Sequence, residues 1–164
     1  MSVLYDFSGK VALITGSSSG IGAATAILFA KSGAQVLVTG RNVSKVQSVA
    51  KQCSDVSPNK SKALEVVADI TREEDIERLV KTTIDTFGKL DILVNNAGIA
   101  LNAFITNTKY IDSYKQVIDV NLNSVIYLTH KCVEYLSKTK GNIINISSIY
   151  GIQSVSVLLN INNF

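Results

Sequence analysis

The sequence predicts an α/β fold in which a doubly wound parallel sheet of about five strands is covered by helices on both faces. Three observations predict it. Short apolar runs alternate with longer segments of helical pattern, which is the order of right-handed βαβ units. The apolar runs show little polar alternation, which is typical of strands buried on both faces. A turn with glycines at Gly16, Gly20 and Gly22 joins the first run to the first helix.

Composition excludes several functional classes. The 164 residues are 46% hydrophobic and 18% charged, which fits a single globular domain over residues 1–164. A net charge of +3 without a basic run argues against nucleic acid as a partner. No apolar run has the length of a membrane span and no signal-peptide core is present, so we expect a cytoplasmic protein without membrane contacts. Two distant cysteines and one histidine predict free thiols and no metal site.

The individual elements follow from apolar spacing and from turn residues. The first strand, 10–15, leads into a helix at 20–31, which Gly33 ends as a C-cap glycine. Thr71 caps the third helix, with Glu74 in capping-box position. The remaining predicted ranges are strands at 35–39, 63–68, 90–95 and 142–147, helices at 43–51, 71–87 and 111–137, and a polar loop at 54–62.

The glycine turn is the first candidate binding element. Glycine permits a tight turn and leaves room for a pyrophosphate, while the start of the following helix presents free N–H groups at the positive end of its dipole. An ordinary βα turn is the alternative interpretation of the glycines alone. The predicted cofactor contacts in this turn are Gly16, Ser18, Ser19, Gly20, Ile21 and Gly22.

The ends of the second and third strands carry the next candidates. Arg41 follows the second strand, where an acid would hold a ribose hydroxyl and an arginine accommodates a 2′-phosphate. The sequence therefore favours NADP over NAD, unless Arg41 is only a solvated surface residue. Asp69 and Ile70 follow the third strand, where the carboxylate would accept a hydrogen bond from an adenine amine or would cap the next helix.

Polar residues also follow the later strands. Asn95, Ala97 and Gly98 belong to an Asn-Asn-Ala-Gly sequence, whose small residues let the backbone approach a flat ligand and whose amides tie adjacent strands together. Asn121 interrupts an apolar run, either as a functional amide, as a core amide or as a surface residue. Ser148 ends the fifth strand, where its hydroxyl faces the cleft or simply forms a turn.

Together these motifs resemble the classical short-chain dehydrogenase/reductase family. Residues 15–22, TGSSSGIG, match its TGxxxGxG cofactor motif, and residues 95–98 match its NNAG motif. Asn121 resembles the active-site asparagine of the family, and Ser148 its catalytic serine. The resemblance covers residues 7–151. It implies a Rossmann-type NAD(P)-binding domain and hydride transfer between a nicotinamide and a small carbonyl or alcohol substrate.

One family motif is missing from its expected place. In the family, a tyrosine acts as general acid/base, a lysine lowers its pKa, and the serine orients the substrate oxygen. No Tyr-x-x-x-Lys follows Ser148; Ile161 stands where the tyrosine is expected, and Tyr150 has Ser154 four residues on. Residues 152–164 form a divergent, uncharged tail. We therefore expect a C-terminally incomplete sheet, truncated before this motif by a frame change, a retained intron or a truncated gene model.

Two functional hypotheses follow. The first is that the chain belongs to an NADP-dependent oxidoreductase. As it stands, this chain would be inactive, because the tyrosine–lysine pair is missing. The second is a non-catalytic dinucleotide-binding module, such as a splice form. Either form is expected to associate as a homo-oligomer or with a full-length relative. A Rossmann-type methyltransferase fits poorly, because the two glycine-containing motifs together indicate a nicotinamide.

Overall fold

A computed structural model describes residues 5–101, 104 and 106–149, and these form a parallel sheet with helices on both faces. The sheet order is β3-β2-β1-β4-β5, and every neighbouring pair is parallel. The predicted α/β, doubly wound fold is thereby confirmed. The strands are β1 Val11–Ile14, β2 Gln35–Gly40, β3 Leu64–Val67, β4 Ile92–Asn95 and β5 Asn142–Asn145. The helices are α1 Gly20–Lys31, α2 Val43–Val56, α3 Glu73–Phe87, α4 Tyr110–Ile118 and α5 Ser124–Thr139, with a π-helical turn at Asp119–Asn123.

Two apolar clusters sandwich the sheet. Successive side chains of a strand point to opposite faces, so β1 contributes to both clusters. Ala12 and Ile14 pack with α1 and α2, whereas Val11 and Leu13 pack with α3 and α5. All four residues are completely buried. Burial on both faces explains why the strand sequences are continuously apolar.

The second helix is longer than predicted. It runs to Val56, through the first part of the loop predicted at 54–62. Cys53 is buried on this helix. The Ser54 hydroxyl donates to the Ala50 carbonyl at 2.9 Å and accepts from the Ala63 N–H at 2.9 Å. The prediction was wrong there because these side chain–backbone bonds let a polar residue continue the helix and fasten it to the start of β3.

The predicted capping box at the third helix is also wrong. The helix begins at Glu73, and no side chain caps it. Thr71 instead donates both its N–H and its hydroxyl to the Oδ1 atom of Asp69, at 3.0 and 2.8 Å. The Thr71 side chain therefore shapes the turn that precedes the helix. In a capping box it would instead have accepted a hydrogen bond from an N–H group of the first helical turn.

The long helical segment formed by α4, the π-helical turn and α5 buries one face only. Leu128, Cys132 and Leu136 pack against the sheet, whereas Leu122 and Ile126 are 48% and 59% exposed. Apolar side chains thus occur on more than one face of this segment, and among the described residues nothing covers the second face. β5 is similarly exposed along its whole length. β5 and the second face of this helical segment therefore both expose apolar side chains.

Asp91 links three segments at the amino ends of the strands. Its side chain is 3% exposed, accepts from the Val11 N–H at 3.0 Å and forms ion pairs with Lys10 and Lys89 at 3.1 and 3.0 Å. Burial by itself would raise the pKa of Asp91. The Val11 hydrogen bond and the two lysines outweigh burial, so the pKa of Asp91 lies below its ordinary value.

Both cysteines are free thiols, as predicted. Burial raises the pKa of Cys53 to about 11 and that of Cys132 to about 12, so neither thiol is reactive at neutral pH. In the described part of the chain, no helix combines the length and the apolar character needed to cross a membrane.

Candidate functional site

A cleft of about 360 Å³ opens at the carboxyl ends of β1 to β4. Ligands of doubly wound folds bind at this end of the sheet. From the predicted glycine turn, the lining residues are Gly16, Ser18, Ser19 and Ile21. From the later strand ends, the predicted residues that line it are Arg41, Asp69, Ile70, Ala97 and Gly98. Nine of the predicted cofactor residues are thus brought together.

The glycine turn is packed directly against the segment after β4. Gly16 has a φ of +63°, and a Cβ there would lie 2.9 Å from the Ala97 Cα, so only glycine fits. A Cβ at Gly22 would lie 2.4 Å from the Asn96 Nδ2. Gly20 and Gly22 do not line the cleft. Gly20, with a φ of +56°, shapes the turn, and Gly22 lets the start of α1 approach Asn96. Direct contact of these two glycines with a cofactor stays a prediction.

The start of α1 is left open to the cleft. Its N-cap residue, Ser19, makes no side-chain capping bond, and its first turn contains no acidic residue. By contrast, the first turn of α3 contains three acids, which neutralise the positive end of that helix dipole. The N–H groups at the start of α1 therefore lack both a cap and a counter-charge, and this arrangement suits an anionic ligand.

Thr15 locks the glycine turn to the segment after β4. Its hydroxyl oxygen accepts from the N–H groups of Asn96 and Ala97, at 2.9 and 3.0 Å. The Asn96 side chain returns a bond from Nδ2 to the Thr15 carbonyl at 2.8 Å. Two walls of the cleft are therefore held together by the side chains of Thr15 and Asn96.

Asn95 has a different role from its neighbour. Its Nδ2 donates to the Thr129 hydroxyl at 3.2 Å and to the Asn145 Oδ1 at 2.8 Å, which ties β4 to α5 and β5. Its Oδ1 is buried without a hydrogen-bond partner among the described residues. Asn95 does not line the cleft. This is the strand-tying function that the sequence suggested for the amides, and a cofactor contact by Asn95 stays a prediction.

Among the described residues, the charged ones that line the cleft are Arg41 and Asp69. Arg41 is exposed and directly follows Gly40, where a Cβ would lie 2.4 Å from the Ser18 Oγ. The close approach of Ser18 to Gly40 brings the glycine turn beside the end of β2. The cation of Arg41 thus stands at the side of the cleft where the turn and β2 meet.

Asn121 clamps the backbone beyond the Asn-Asn-Ala-Gly sequence. Its Oδ1 accepts from the Ile99 N–H and its Nδ2 donates to the Ile99 carbonyl, both at 2.9 Å. The residue lies in the π-helical turn and is exposed, so it is not a core amide. Ser148 is exposed in the segment after β5. Tyr150 and Ile161 lie outside the described residues.

A Tyr-x-x-x-Lys spacing does occur earlier in the chain, at Tyr127 and Lys131, although none follows Ser148. Tyr127 and Lys131 both lie on α5. The Tyr127 hydroxyl donates to Glu73 at 3.0 Å, and this bond raises the pKa of Tyr127 above its ordinary value. Lys131 pairs with Glu77 at 2.7 Å. A catalytic tyrosine needs a lowered pKa, so this pair serves to join α5 to α3.

Sequence reasoning did not select several residues of the lining. These are Thr39, Gly40, Ala68, Asn96, Ile99 and Val120. Asn96 belongs to the Asn-Asn-Ala-Gly sequence, so the motif itself could have indicated it. The Thr39 N–H donates to the Ser17 hydroxyl at 2.9 Å, and this bond helps to place Thr39 at the cleft. No local sequence pattern reveals such a contact. Within the described ranges, no group of three or more His, Cys, Asp or Glu residues could hold a metal ion.

Comparison with known proteins gives a family match and curated relatives. A family model for short chain dehydrogenases matches residues 10–160. An uncharacterized oxidoreductase of Staphylococcus aureus is 40% identical over 154 residues, covering 93% of this chain and 63% of the relative. This chain therefore spans about 63% of the length of the curated relatives that it matches.

Solved structures of similar proteins share the architecture. The glucose dehydrogenase of Caenorhabditis elegans, in its apo form, is 47% identical with a TM-score of 0.75, over 87% of this chain and 56% of that one. A short-chain dehydrogenase/reductase of unknown function from the same organism, with cofactor, is 40% identical with a TM-score of 0.83, over 93% of this chain and 58% of that one.

Proposed function

The chain belongs to the short-chain dehydrogenase/reductase family, and we propose that residues 1–164 form a single NAD(P)-binding domain of an NADP-dependent oxidoreductase. The observation that carries the proposal is the convergence of the glycine turn, the uncapped start of α1, Arg41 and Asp69 on one cleft. A nicotinamide dinucleotide, when bound, supplies or accepts the hydride. Two free thiols fit a reducing compartment, so a cytoplasmic location belongs to the same proposal.

Each part of the cleft suits one part of the cofactor. The backbone from Gly16 to Ile21 and the start of α1 would hold the pyrophosphate, because α1 has neither a side-chain cap nor an acid in its first turn. The carboxylate of Asp69 would accept a hydrogen bond from the adenine amine. Ala97 and Gly98 have small side chains or none, so a flat ring can approach their backbone.

Arg41 supports a preference for NADP. A charge-assisted hydrogen bond to the 2′-phosphate contributes roughly 1.5–3 kcal/mol, which corresponds to about 10- to 150-fold in affinity. Arg41 is the one cation among the described residues of the lining, and it stands directly after β2, where an acid would hold the ribose hydroxyl of NAD. We therefore expect NADPH to bind more tightly than NADH.

Titration with both cofactors tests this preference. The wild type should favour NADPH, and Arg41→Asp should reverse or abolish the preference. Lys45→Asp is the matched control, because it places the same charge change on α2, outside the cleft lining. Equal affinities of the wild type for NADPH and NADH would remove Arg41 from the proposal.

Catalysis requires more than the cleft. Asn121 and Ser148 are the proposed members of the catalytic set, with Ser148 orienting a carbonyl or alcohol oxygen. A proton must also reach the alkoxide that forms during carbonyl reduction, and a general acid contributes about 10²–10⁴-fold to the rate. Tyr127 is bound to Glu73 and has a raised pKa, so it does not suit this task. We propose that residues 1–164 alone bind the cofactor without turning over substrate.

A matched pair of proteins tests the absence of turnover. One is residues 1–164, and the other is the same chain continued by a family-type Tyr-x-x-x-Lys helix and the strands that follow it. Both are assayed for NADPH oxidation with a panel of small carbonyl compounds. Turnover is expected only for the longer protein. Clear turnover by residues 1–164 would overturn the proposal, and Tyr150→Phe would then be the next variant to measure.

A further inference from the structure

The connection between β3 and α3 forms the adenine end of the cleft. Asp69 and Ile70 lie on it and line the cleft. Within the connection, the Asp69 carbonyl accepts from the Arg72 N–H at 3.0 Å. At the start of the connection, the Ala68 N–H donates to the Gly40 carbonyl at 3.1 Å, which anchors it to β2. The position of the Asp69 carboxylate therefore depends on how this short backbone segment is held.

Two residues of α3 hold the segment from outside the cleft. The Asp75 Oδ2 accepts from the Asp69 N–H at 2.8 Å, and the Asp75 Oδ1 accepts from the Arg78 Nη2 at 2.6 Å. The Arg78 Nη2 also donates to the Val67 carbonyl, at the end of β3, at 2.8 Å. These three bonds form a closed bridge from the last residue of β3 through α3 to the backbone of Asp69.

The charges of Asp75 and Arg78 favour a bridge that persists at neutral pH. The hydrogen bond from Asp69, followed by that from Arg78, lowers the pKa of Asp75, so its carboxylate stays ionised at neutral pH. The Asp75 side chain is 23% exposed, which limits competition from water. Hydrogen bonds to an ionised acceptor are shorter and stronger than neutral ones. The Asp69 N–H is therefore held by the strongest kind of acceptor that a side chain provides.

We infer that Asp75 and Arg78 are positioning residues for the adenine end of the cleft, an inference that rests on the proposed function. Neither residue lines the cleft. They fix the backbone of Asp69, and Thr71 binds Oδ1 of its carboxylate, so among the described contacts Oδ2 is the oxygen left for a ligand. Loss of the bridge should weaken recognition of the adenine amine and leave recognition of the 2′-phosphate by Arg41 unchanged.

The test separates the adenine end from the rest of the cofactor. Dissociation constants are measured for NADPH, for its hypoxanthine analogue, in which an oxygen replaces the adenine 6-amine, and for NADH. Asp75→Ala removes the acceptor of the bridge. Asp85→Ala is the matched control, because it removes an exposed acid of α3 that pairs, within the described part of the chain, with Lys81 alone. Arg78→Met breaks the link to β3 and leaves the Asp75 carboxylate in place.

The expected result is a selective loss. The wild type should prefer NADPH to the hypoxanthine analogue by about tenfold, the size of one hydrogen bond. Asp75→Ala should reduce this preference to less than about twofold, Arg78→Met should reduce it partly, and Asp85→Ala should leave it unchanged. The preference for NADPH over NADH should be the same in all four proteins. A general loss of structure would lower all three affinities together.

The outcomes distinguish the inference from the proposed function. An unchanged preference for NADPH over the hypoxanthine analogue in folded Asp75→Ala would overturn the inference and leave the function standing. If Asp75→Ala does not fold, an unchanged preference in Arg78→Met has the same consequence. If the wild type binds none of the three dinucleotides, the proposed function fails, and the positioning role fails with it.

Discussion

Replacing Asp91 by Asn tests what holds the amino ends of the strands. The charged acceptor makes the Val11 hydrogen bond worth about 1.5–3 kcal/mol, of which a neutral amide retains about 1 kcal/mol. The side chains of Lys10 and Lys89 are 49% and 41% exposed, so each ion pair adds only about 0–1 kcal/mol. Together these losses predict that Asp91→Asn lowers the free energy of unfolding by about 2 kcal/mol.

The pH dependence of this loss has a definite sign. The pKa of Asp91 is about 3.9 in the unfolded chain and lower than that in the folded protein. A lowered folded pKa stabilises the protein fully above the unfolded value, and this contribution is lost as the pH falls through the folded value. The difference between wild type and Asp91→Asn should be constant between about pH 6 and 8 and should shrink below about pH 4.

Urea unfolding at neutral and at acidic pH measures both effects. Asp85→Asn is the control, because Asp85 is an exposed acid that pairs with Lys81 on α3. We expect it to change the free energy of unfolding by less than about 0.5 kcal/mol at any pH. A difference of that small size for Asp91→Asn at neutral pH would refute the reasoning. So would a large difference that is the same at neutral and acidic pH.

Three further measurements address packing, thiol burial and the open edge of the sheet. Gly22→Val should lower the melting temperature and weaken NADPH binding, because a Cβ there would lie 2.4 Å from the Asn96 Nδ2. Ellman's reagent should label Cys53 and Cys132 only after unfolding in urea, because the ionised fraction at pH 8 is about 10⁻³ for Cys53 and about 10⁻⁴ for Cys132. Fast labelling of the folded protein would contradict the burial of these thiols. Light scattering should show association that increases with concentration, because β5 is an exposed edge; a monodisperse monomer at tens of micromolar would count against it.

The order of strands and helices could be predicted because each buried strand is a continuous apolar run. β1, β2 and β4 are of this kind, and their positions follow from the sequence within one or two residues. The end of α2 could not be predicted in the same way. Ser54 is a polar residue whose place in the helix depends on a hydrogen bond from Ala63, across the connection to β3. A local pattern contains no information on that contact.

The candidate site shows the same limit. The glycine turn is local in sequence and could be predicted, whereas the roles of two successive asparagines could not be separated. Asn95 and Asn96 point in opposite directions, so one ties β4 to β5 and the other binds the glycine turn. Spacing alone also cannot show that Tyr127 and Lys131 face α3. Their partners lie 54 residues earlier in the chain.

The two ends of the sheet divide stability from binding. At the amino ends, Asp91 joins β1 to β4 far from the cleft. At the carboxyl ends, the links between the same two strands use Thr15 and Asn96, and the bonds between them do not occupy the N–H groups at the start of α1. The groups proposed to recognise the cofactor, Arg41 and the carboxylate of Asp69, take no part in these links. A chain organised in this way can change its cofactor preference at the cleft without losing the contacts that hold its central strands together.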